Sequence, residues 1–474
     1  MPAVDCARLP MPAEVFELFT YLAIVALASL AFVAGWLSVN AAVVLTVMLP
    51  GSLIALSWVH LGQGRHPVFL FLCTLMLFQG GRLIAFCLGT VEDPLLVNLM
   101  VDAPFAVSRS VSGLLLLCLA VSALCVYFPC RWDYRRIARP STADMQRYLP
   151  YLYLVYCATL PFLMYKNYLY LRYVQAHGGY LTFFSDYARL TANVPSFVRL
   201  AALLPLPVML VIFVADTRRK LLVIVVALFF CGSIVLLLTG TRMGTFTLVL
   251  TLWYVAKVKS GQPASLLRLT VLAALLIVVA NLIALLRFGG DIEGHAIINP
   301  VSFVGTQGIS LNVTEVAMLR PDLFRPHVFS YLLHELEVDL VSSDVSNYFR
   351  GRHFGYDVSV FLNPELFSQG FGTSGTYLGE AYLLGGILGV VVVSVMIGLG
   401  LRTLYRFSGH AHTLVLVAVV LPQVLLMPRG FILGWVSSLI RALLIFVPLS
   451  LGWLVYDLVA SGLSMAQPAD GKQP

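Results

Sequence analysis

Uncharged or nearly uncharged runs recur along the whole chain, at about 17–37, 40–60, 67–88, 111–129, 148–169, 199–215, 221–239, 243–256, 269–286, 382–401, 413–427 and 431–457. In hydrocarbon every backbone N–H and C=O must be satisfied inside the segment, so runs of this kind fold as helices crossing a bilayer. With 59% hydrophobic and 11% charged residues and a mean hydropathy of +0.90, too little polar sequence remains to make them the core of a soluble globule. The expected fold class is an all-α polytopic membrane protein of about 12 transmembrane helices, a single integral membrane domain over residues 1–474.

Orientation follows from the connections. Arg131, Arg135, Arg136, Arg139 and Arg147 fill one, Arg218, Arg219 and Lys220 a second, Lys257, Lys259 and Arg268 a third, and Arg402 and Arg406 a fourth. All four fall on one face, which basic excess makes the cytoplasmic one, and an even span count puts both termini there. Asp5, Glu14 and Glu17 precede the first span without a basic n-region, so this helix is expected to be retained. The formal charge of +7 suits membrane lipids with anionic headgroups; it is ordinary cytoplasmic excess and points to no nucleic acid. The cysteines (Cys6, Cys73, Cys87, Cys118, Cys125, Cys130, Cys157, Cys231) have neither zinc spacing nor a place in the large outer loop, so no disulfide framework is expected.

Two substantial loops face the other side. The first, residues 170–198, carries Arg172, Tyr180 and Arg189, aromatic rings beside charges that suit sugar faces or serve as interface anchors. The second is an island spanning 287–381, too long to lack structure of its own. Asn363-Pro364-Glu365 predicts a helix start, and Val328, Leu332, Leu336 and Leu340 predict an apolar stripe lying on the membrane or on the bundle. Gly370, Gly372 and Gly375 read as a hinge or as a plain connection before Thr376–Glu380 opens the tenth span.

Arginines are normally scarce on the outer side, yet the island holds Arg287, Arg320, Arg325, Arg350 and Arg352, and short turns facing the same way add Arg242 and Arg429. The runs 243–256 and 413–427 cover only about 21–23 Å of roughly 30 Å of hydrocarbon, which predicts that both turns are recessed in a protein-lined cavity. Arg441 lies deeper on the last span, and Arg82 in the third is expected to be structural or snorkelling. A guanidinium offers a planar fork to phosphate oxygens, so Arg242 and Arg429, helped by Arg350 or Arg352, are the candidate anion ligands, with Arg287, Arg441 and Tyr348 as further substrate contacts. For a proton acceptor two residues compete, His353 beside two arginines and Glu380 in the first turn of the tenth span. The bland alternatives are a plain loop histidine and a dipole-stabilising carboxylate, and Asp186 and Asp344 stand behind both.

The strings Leu238-Thr239-Gly240-Thr241-Arg242-Met243-Gly244, His177-Gly178-Gly179-Tyr180, Asn347-Tyr348-Phe349-Arg350, the segment GTSGTYLGEAYLLGG from Gly372 to Gly386, and Pro428-Arg429-Gly430 through Arg441 occur in the order and spacing seen in Wzy-type polysaccharide polymerases. The chain resembles that family, which includes O-antigen and enterobacterial common antigen polymerases, over nearly its whole length. The resemblance implies a GT-C-like glycosyltransferase that polymerises undecaprenyl-pyrophosphate-linked repeat units at the periplasmic face of the inner membrane, beside a flippase and a chain-length regulator of the same pathway. No cofactor is expected. The first outer turn, Ser38 to Asn40, lacks the acidic pair of metal-using relatives of that fold, and Asp291 with Glu293 or Glu335 with Glu337 are only weak carboxylate pairs, so metal-independent activity is expected. An O-antigen ligase would share the donor, and a lipid-linked glycan flippase or exporter is the rival of another class.

Overall fold

The computed structural model describes residues 12–61, 64–97, 101, 104–131, 133, 137–177, 186–238, 243–287, 299–334, 351–369 and 371–465. Helix occupies every one of the apolar runs. The first part of the chain holds α1 (Pro12–Val33), α2 (Val39–His60), α3 (Pro67–Phe78) and α4 (Gly81–Cys87), then a two-residue antiparallel ladder, β1 (Leu96–Val97) with β2 (Phe105–Ala106), and α5 (Arg109–Tyr127). The short α6 (Ala143–Gln146) precedes α7 (Leu149–Ala176), α8 (Tyr187–Ala192), α9 (Ser196–Ala201), α10 (Pro205–Ala215), α11 (Arg219–Leu238), α12 (Met243–Ser260) and α13 (Leu266–Arg287). The island supplies α14 (Pro300–Gln307), α15 (Ser310–Leu319), α16 (Pro321–Phe324), α17 (Val328–His334), α18 (Phe354–Leu362) and α19 (Pro364–Ser368). Three long elements close the fold: α20 (Tyr377–Phe407), α21 (Ala411–Leu426) and α22 (Gly434–Met465).

By length and hydropathy, six helical stretches among the described residues can cross a membrane, and a seventh if α3 and α4, bent by 67°, count as one span. Outward sides are apolar: Met48, Leu56 and Val59 on α2 and Leu444, Val447 and Leu451 on α22 are all exposed, the reverse of a helix facing water. The protein is therefore an all-helical multi-pass membrane protein apart from the small ladder.

The basic connections meet at one end of the bundle. Asp133 accepts from Arg402 Nε at 3.2 Å and Arg406 Nη2 at 3.1 Å, joining the first connection to the fourth. Lys259 Nζ donates to the Asp216 carbonyl at 2.8 Å, joining the second to the third, and Arg65 Nη1 donates to the Gly261 carbonyl at 3.0 Å. Lengths differ from expectation at two spans. The run 243–256 lies in an 18-residue helix, and the run 413–427 in the 19-residue stretch Ala411–Arg429, about 27 and 28 Å long. Each helix continues through polar residues, Lys257 and Lys259 in one and His412 in the other, so apolar run length understated helix length, and a shortened span is no longer a reason to recess Arg242 or Arg429.

Three helix breaks stand out among the described residues, and the first two meet. Between α3 and α4 the chain turns at Gln79-Gly80. Between α14 and α15 it turns at Gly308, whose backbone packs so closely on Gly81 and Arg82 that a Cβ there would stand 2.1 Å from the Arg82 nitrogen. Inside α20, Gly386 has φ +60° and ψ −141°, a backbone open to glycine alone, with Gly385 beside it. The Tyr377 hydroxyl bonds Ser122 Oγ at 2.7 Å, which bonds Ser394 Oγ at 2.8 Å. A straight helix would put Tyr377 and Ser394 about 25 Å apart, so the first arm, Tyr377 to Leu384, folds back along the second. Irregular backbone of this kind inside a membrane bundle is tolerated where it is enclosed by protein or lines a cavity.

The first part of the island is thus core, not cover. Residues 310–318 of α15 are buried without exception, packed among α5, α18 and α20.

Candidate functional site

Arg429 ends a 3-10 turn, Met427–Arg429, that caps α21 and leads to Gly430, Phe431 and Ile432. Its Nη1 donates to Gln307 Oε1 at 2.7 Å, at the C-terminal end of α14. One residue back, the Pro428 carbonyl accepts from Gln79 Nε2 at 2.6 Å. Gln79 Oε1 accepts from Thr314 Oγ1 at 3.2 Å, and Thr314 Oγ1 pairs with Thr376 Oγ1 at 2.8 Å. Thr376 in turn caps the first arm of α20, accepting from Gly379 N–H at 2.9 Å. Gln79, Thr314 and Thr376 are all fully buried. Their bonds join the first break, α15 and the start of the α20 arm to the arginine turn, and an amide or hydroxyl buried here without such partners would cost about 1–3 kcal/mol each.

Glu380 sits in the first turn of that folded-back arm, 0% exposed, and its Oε2 accepts from the Ile432 N–H at 2.9 Å. Phe431 packs on both sides of the same turn: against His353, ring centroids 4.6 Å apart, and against Gly375, where a Cβ would meet the ring at 2.3 Å. That close approach gives Gly375 a packing role in the loop read as a hinge. Arg429, Glu380 and His353, far apart in the chain, thus converge on Met427 to Ile432. Half-buried Arg429, a cation able to grip an anion, and fully buried Glu380, a carboxylate, are tied to the same short turn.

His353 is differently employed. Its Nδ1 accepts from the Tyr356 N–H at 3.2 Å, capping α18, which leaves the proton of the neutral ring on Nε2. Burial, and then the neighbouring His334, hold the imidazole down to about 3. A base that weak is a poor match to chemistry near neutral pH. The preceding turn is fixed by Asp357, which accepts from the Tyr331 hydroxyl at 2.7 Å and the Gly351 N–H at 3.0 Å. With φ +71° at Gly351, this clamp sets the direction in which exposed Arg352 leaves the backbone. Of the stripe expected at Val328, Leu332, Leu336 and Leu340, the last two lie outside the described residues; α17 buries Val328 with Tyr331 and His334 and covers Leu332 only partly, since a three-residue step follows one side of a short helix as readily as a four-residue one. Asn363 caps α19 as expected, accepting from the Glu365 and Leu366 N–H groups.

On the other side of Gln79 lies a second buried polar group, built on Arg82, for which a structural role was expected, and on Asn312 and Glu315, which sequence reasoning missed. Arg82, 5% exposed, donates from Nη1 to Asn312 Oδ1 at 2.7 Å and from Nη2 to the Asp93 and Leu96 carbonyls at 3.2 Å. Asn312 Nδ2 donates to Glu315 Oε2 at 3.1 Å. Glu315 is wholly buried, and burial pushes its carboxyl up to about 7 against the pull of Asn312 and Arg82. At Asp93 it is the backbone carbonyl, not the carboxylate, that serves. The available signal was a lone amide and a lone cation, Gln79 and Arg82, three residues apart in an otherwise apolar run.

Other candidates lie apart. Arg189 pairs with Asp186 at 3.7 Å on α8, and the Tyr173 hydroxyl donates to the same carboxylate. This corner is held by its own apolar cluster of Tyr170, Val174, Leu190, Val194 and Val198, with Arg172 exposed nearby. Arg441 is exposed on α22, Arg320 pairs with Asp322 at 3.2 Å, and Arg287 ends α13. Arg242, Arg350, Tyr180, Tyr348 and Asp344 lie outside the described residues.

A family model described as O-antigen polysaccharide polymerase Wzy matches residues 16–458 of this chain. No curated protein and no solved structure matches it.

Proposed function

Because this chain belongs to the O-antigen polysaccharide polymerase Wzy family, we propose that it extends a glycan by joining undecaprenyl-pyrophosphate-linked repeat units at the junction of its three broken helices. The observation that carries this reading is the convergence of Arg429 and Glu380 on one turn. In the proposed arrangement all twelve apolar runs cross the inner membrane in a GT-C-like bundle. Both termini and the basic end are cytoplasmic, and the island is periplasmic.

A hydroxyl of the incoming lipid-linked unit attacks the anomeric carbon of the growing chain. The new C–O bond forms as the bond to the pyrophosphate breaks, and undecaprenyl pyrophosphate leaves with the electron pair. Arg429, with Arg242 and with Arg350 or Arg352 from the island, holds that pyrophosphate and stabilises the charge it gathers. Glu380 takes the proton of the attacking hydroxyl. Its bond from Ile432 N–H closes it off, so substrate reaches it when Gly430 to Leu433 shift. His353 serves as the cap of the helix beside the site rather than as the base. Arg172, Arg189 and Tyr180 in the first loop, with Tyr348, Arg287 and Arg441, are left to contact glycan or lipid headgroups. The flippase and chain-length regulator of the pathway are its expected neighbours.

Leaving-group charge met by guanidinium groups needs no divalent ion, so purified protein given lipid-linked repeat units in detergent with EDTA should produce a ladder of lengthening glycans. Activity lost in EDTA and restored by Mg²⁺ or Mn²⁺ would reject the metal-free mechanism. Transfer to lipid A core would mean a ligase, and no transfer at all would favour transport.

A further inference from the structure

The Arg429 turn is held by two amides from two different broken helices. We propose that Gln307 and Gln79 are positioning residues that aim the Arg429 guanidinium at the anionic leaving group. This rests on the reading of Arg429 as a pyrophosphate ligand. Gln307 is 4% exposed and Gln79 0%, and each spends a side-chain hydrogen bond on the arginine turn: Gln307 on the guanidinium, Gln79 on the carbonyl of the preceding residue. Together they fix both the head of the side chain and the backbone from which it springs.

The choice of amide carries the chemistry. A carboxylate in place of Gln307 would also accept from Nη1, but as an ion pair it would draw on the charge that a pyrophosphate needs. An amide orients the guanidinium and adds no charge of its own. Gln79 is anchored in its turn by Thr314 and, through it, by Thr376 above Glu380, so the cation and the carboxylate share one rigid frame. Preorganisation of this kind acts on rate, since a donor already aimed costs no reorganisation when the charge develops.

The test uses the full-length protein, purified in detergent and supplied with lipid-linked repeat units. Gln307→Glu should raise KM for the lipid-linked donor by about ten-fold or more with a smaller change in kcat, whereas Gln307→Leu should lower kcat with KM little changed. Combined with Arg429→Lys, Gln307→Leu should add little further loss, because a positioning residue works through the group it positions. Should Gln307→Leu fail to accumulate, Gln79→Met, which removes the bond to the Pro428 carbonyl, is read in the same way. Wild-type kinetics in both Gln307 variants, or losses that multiply fully with Arg429→Lys, would overturn the proposal while leaving the pyrophosphate reading intact. Full activity of Arg429→Ala would instead bring down that reading and the positioning role with it.

Discussion

Arg429→Ala should reduce chain growth by about 100- to 1,000-fold, the usual consequence of removing one preorganised donor from a site that stabilises developing negative charge. Surface polysaccharide from cells carrying the variant should run as single repeat units rather than as a ladder on a gel. Stability is the competing explanation, because the substitution strands Gln307 Oε1 without its donor. A buried acceptor left unmade costs about 1–3 kcal/mol, so the membrane content of the variant must be measured alongside. Arg429→Lys separates the two effects further: it keeps the charge but loses the planar fork, and should retain partial activity. Full-length polymer from Arg429→Ala at normal protein levels would remove this residue from the chemistry.

Gly308→Ala should have the largest effect on the fold itself. Its Cβ would stand 2.1 Å from the Arg82 nitrogen, 2.7 Å from the Gly81 carbonyl carbon and 2.9 Å from the Gly81 Cα. All three are backbone atoms, so no rotamer can relieve the overlap, and the two helix breaks must separate. Overpacking costs about 1–3 kcal/mol where side chains can yield, and more is expected here. Gly81→Ala should behave alike, with its Cβ 2.4 Å from the Val304 carbonyl oxygen. Gly400→Ala is the control, an α20 position with nothing within 4 Å of a Cβ. Thermal unfolding in detergent should show Gly308→Ala and Gly81→Ala strongly destabilised and Gly400→Ala near wild type. An unshifted midpoint for Gly308→Ala would mean that the two breaks do not pack as described.

The parts legible in the sequence were those governed by local rules. Apolar runs marked helices because backbone in hydrocarbon has few alternatives, and Asn363-Pro364-Glu365 marked a helix start because capping involves only adjacent residues. The basic connections could be grouped on one face because each span reverses direction, and the ion pairs of Asp133 bring the first and the fourth together. What escaped was non-local. The α15 segment SLNVTEVAML mixes apolar and polar residues without a polar face, since all its sides are buried: its Asn and Thr are satisfied by Arg82, Gln79 and Thr376, distant in the chain, and Glu315 accepts from Asn312. Nothing in Gly385-Gly386 announces a reversal, as glycines also occur in straight membrane helices. His353 looked available because adjacency to two arginines is visible in a sequence, whereas its use as a cap depends on how α18 begins. Run length misled for 243–256 because lysines extend a helix past the apolar boundary.

The central claim is that the lipid pyrophosphate lodges where the three broken helices meet the Arg429 turn, and photo-crosslinking tests it most directly. A polyprenyl pyrophosphate bearing a diazirine next to the phosphates, irradiated with the purified protein, should label peptides containing Met427 to Ile432 or the first arm of α20, and unlabelled lipid pyrophosphate should compete. Label confined to the Tyr187–Ala192 corner, or to the basic end around Asp133 and Asp216, would contradict it.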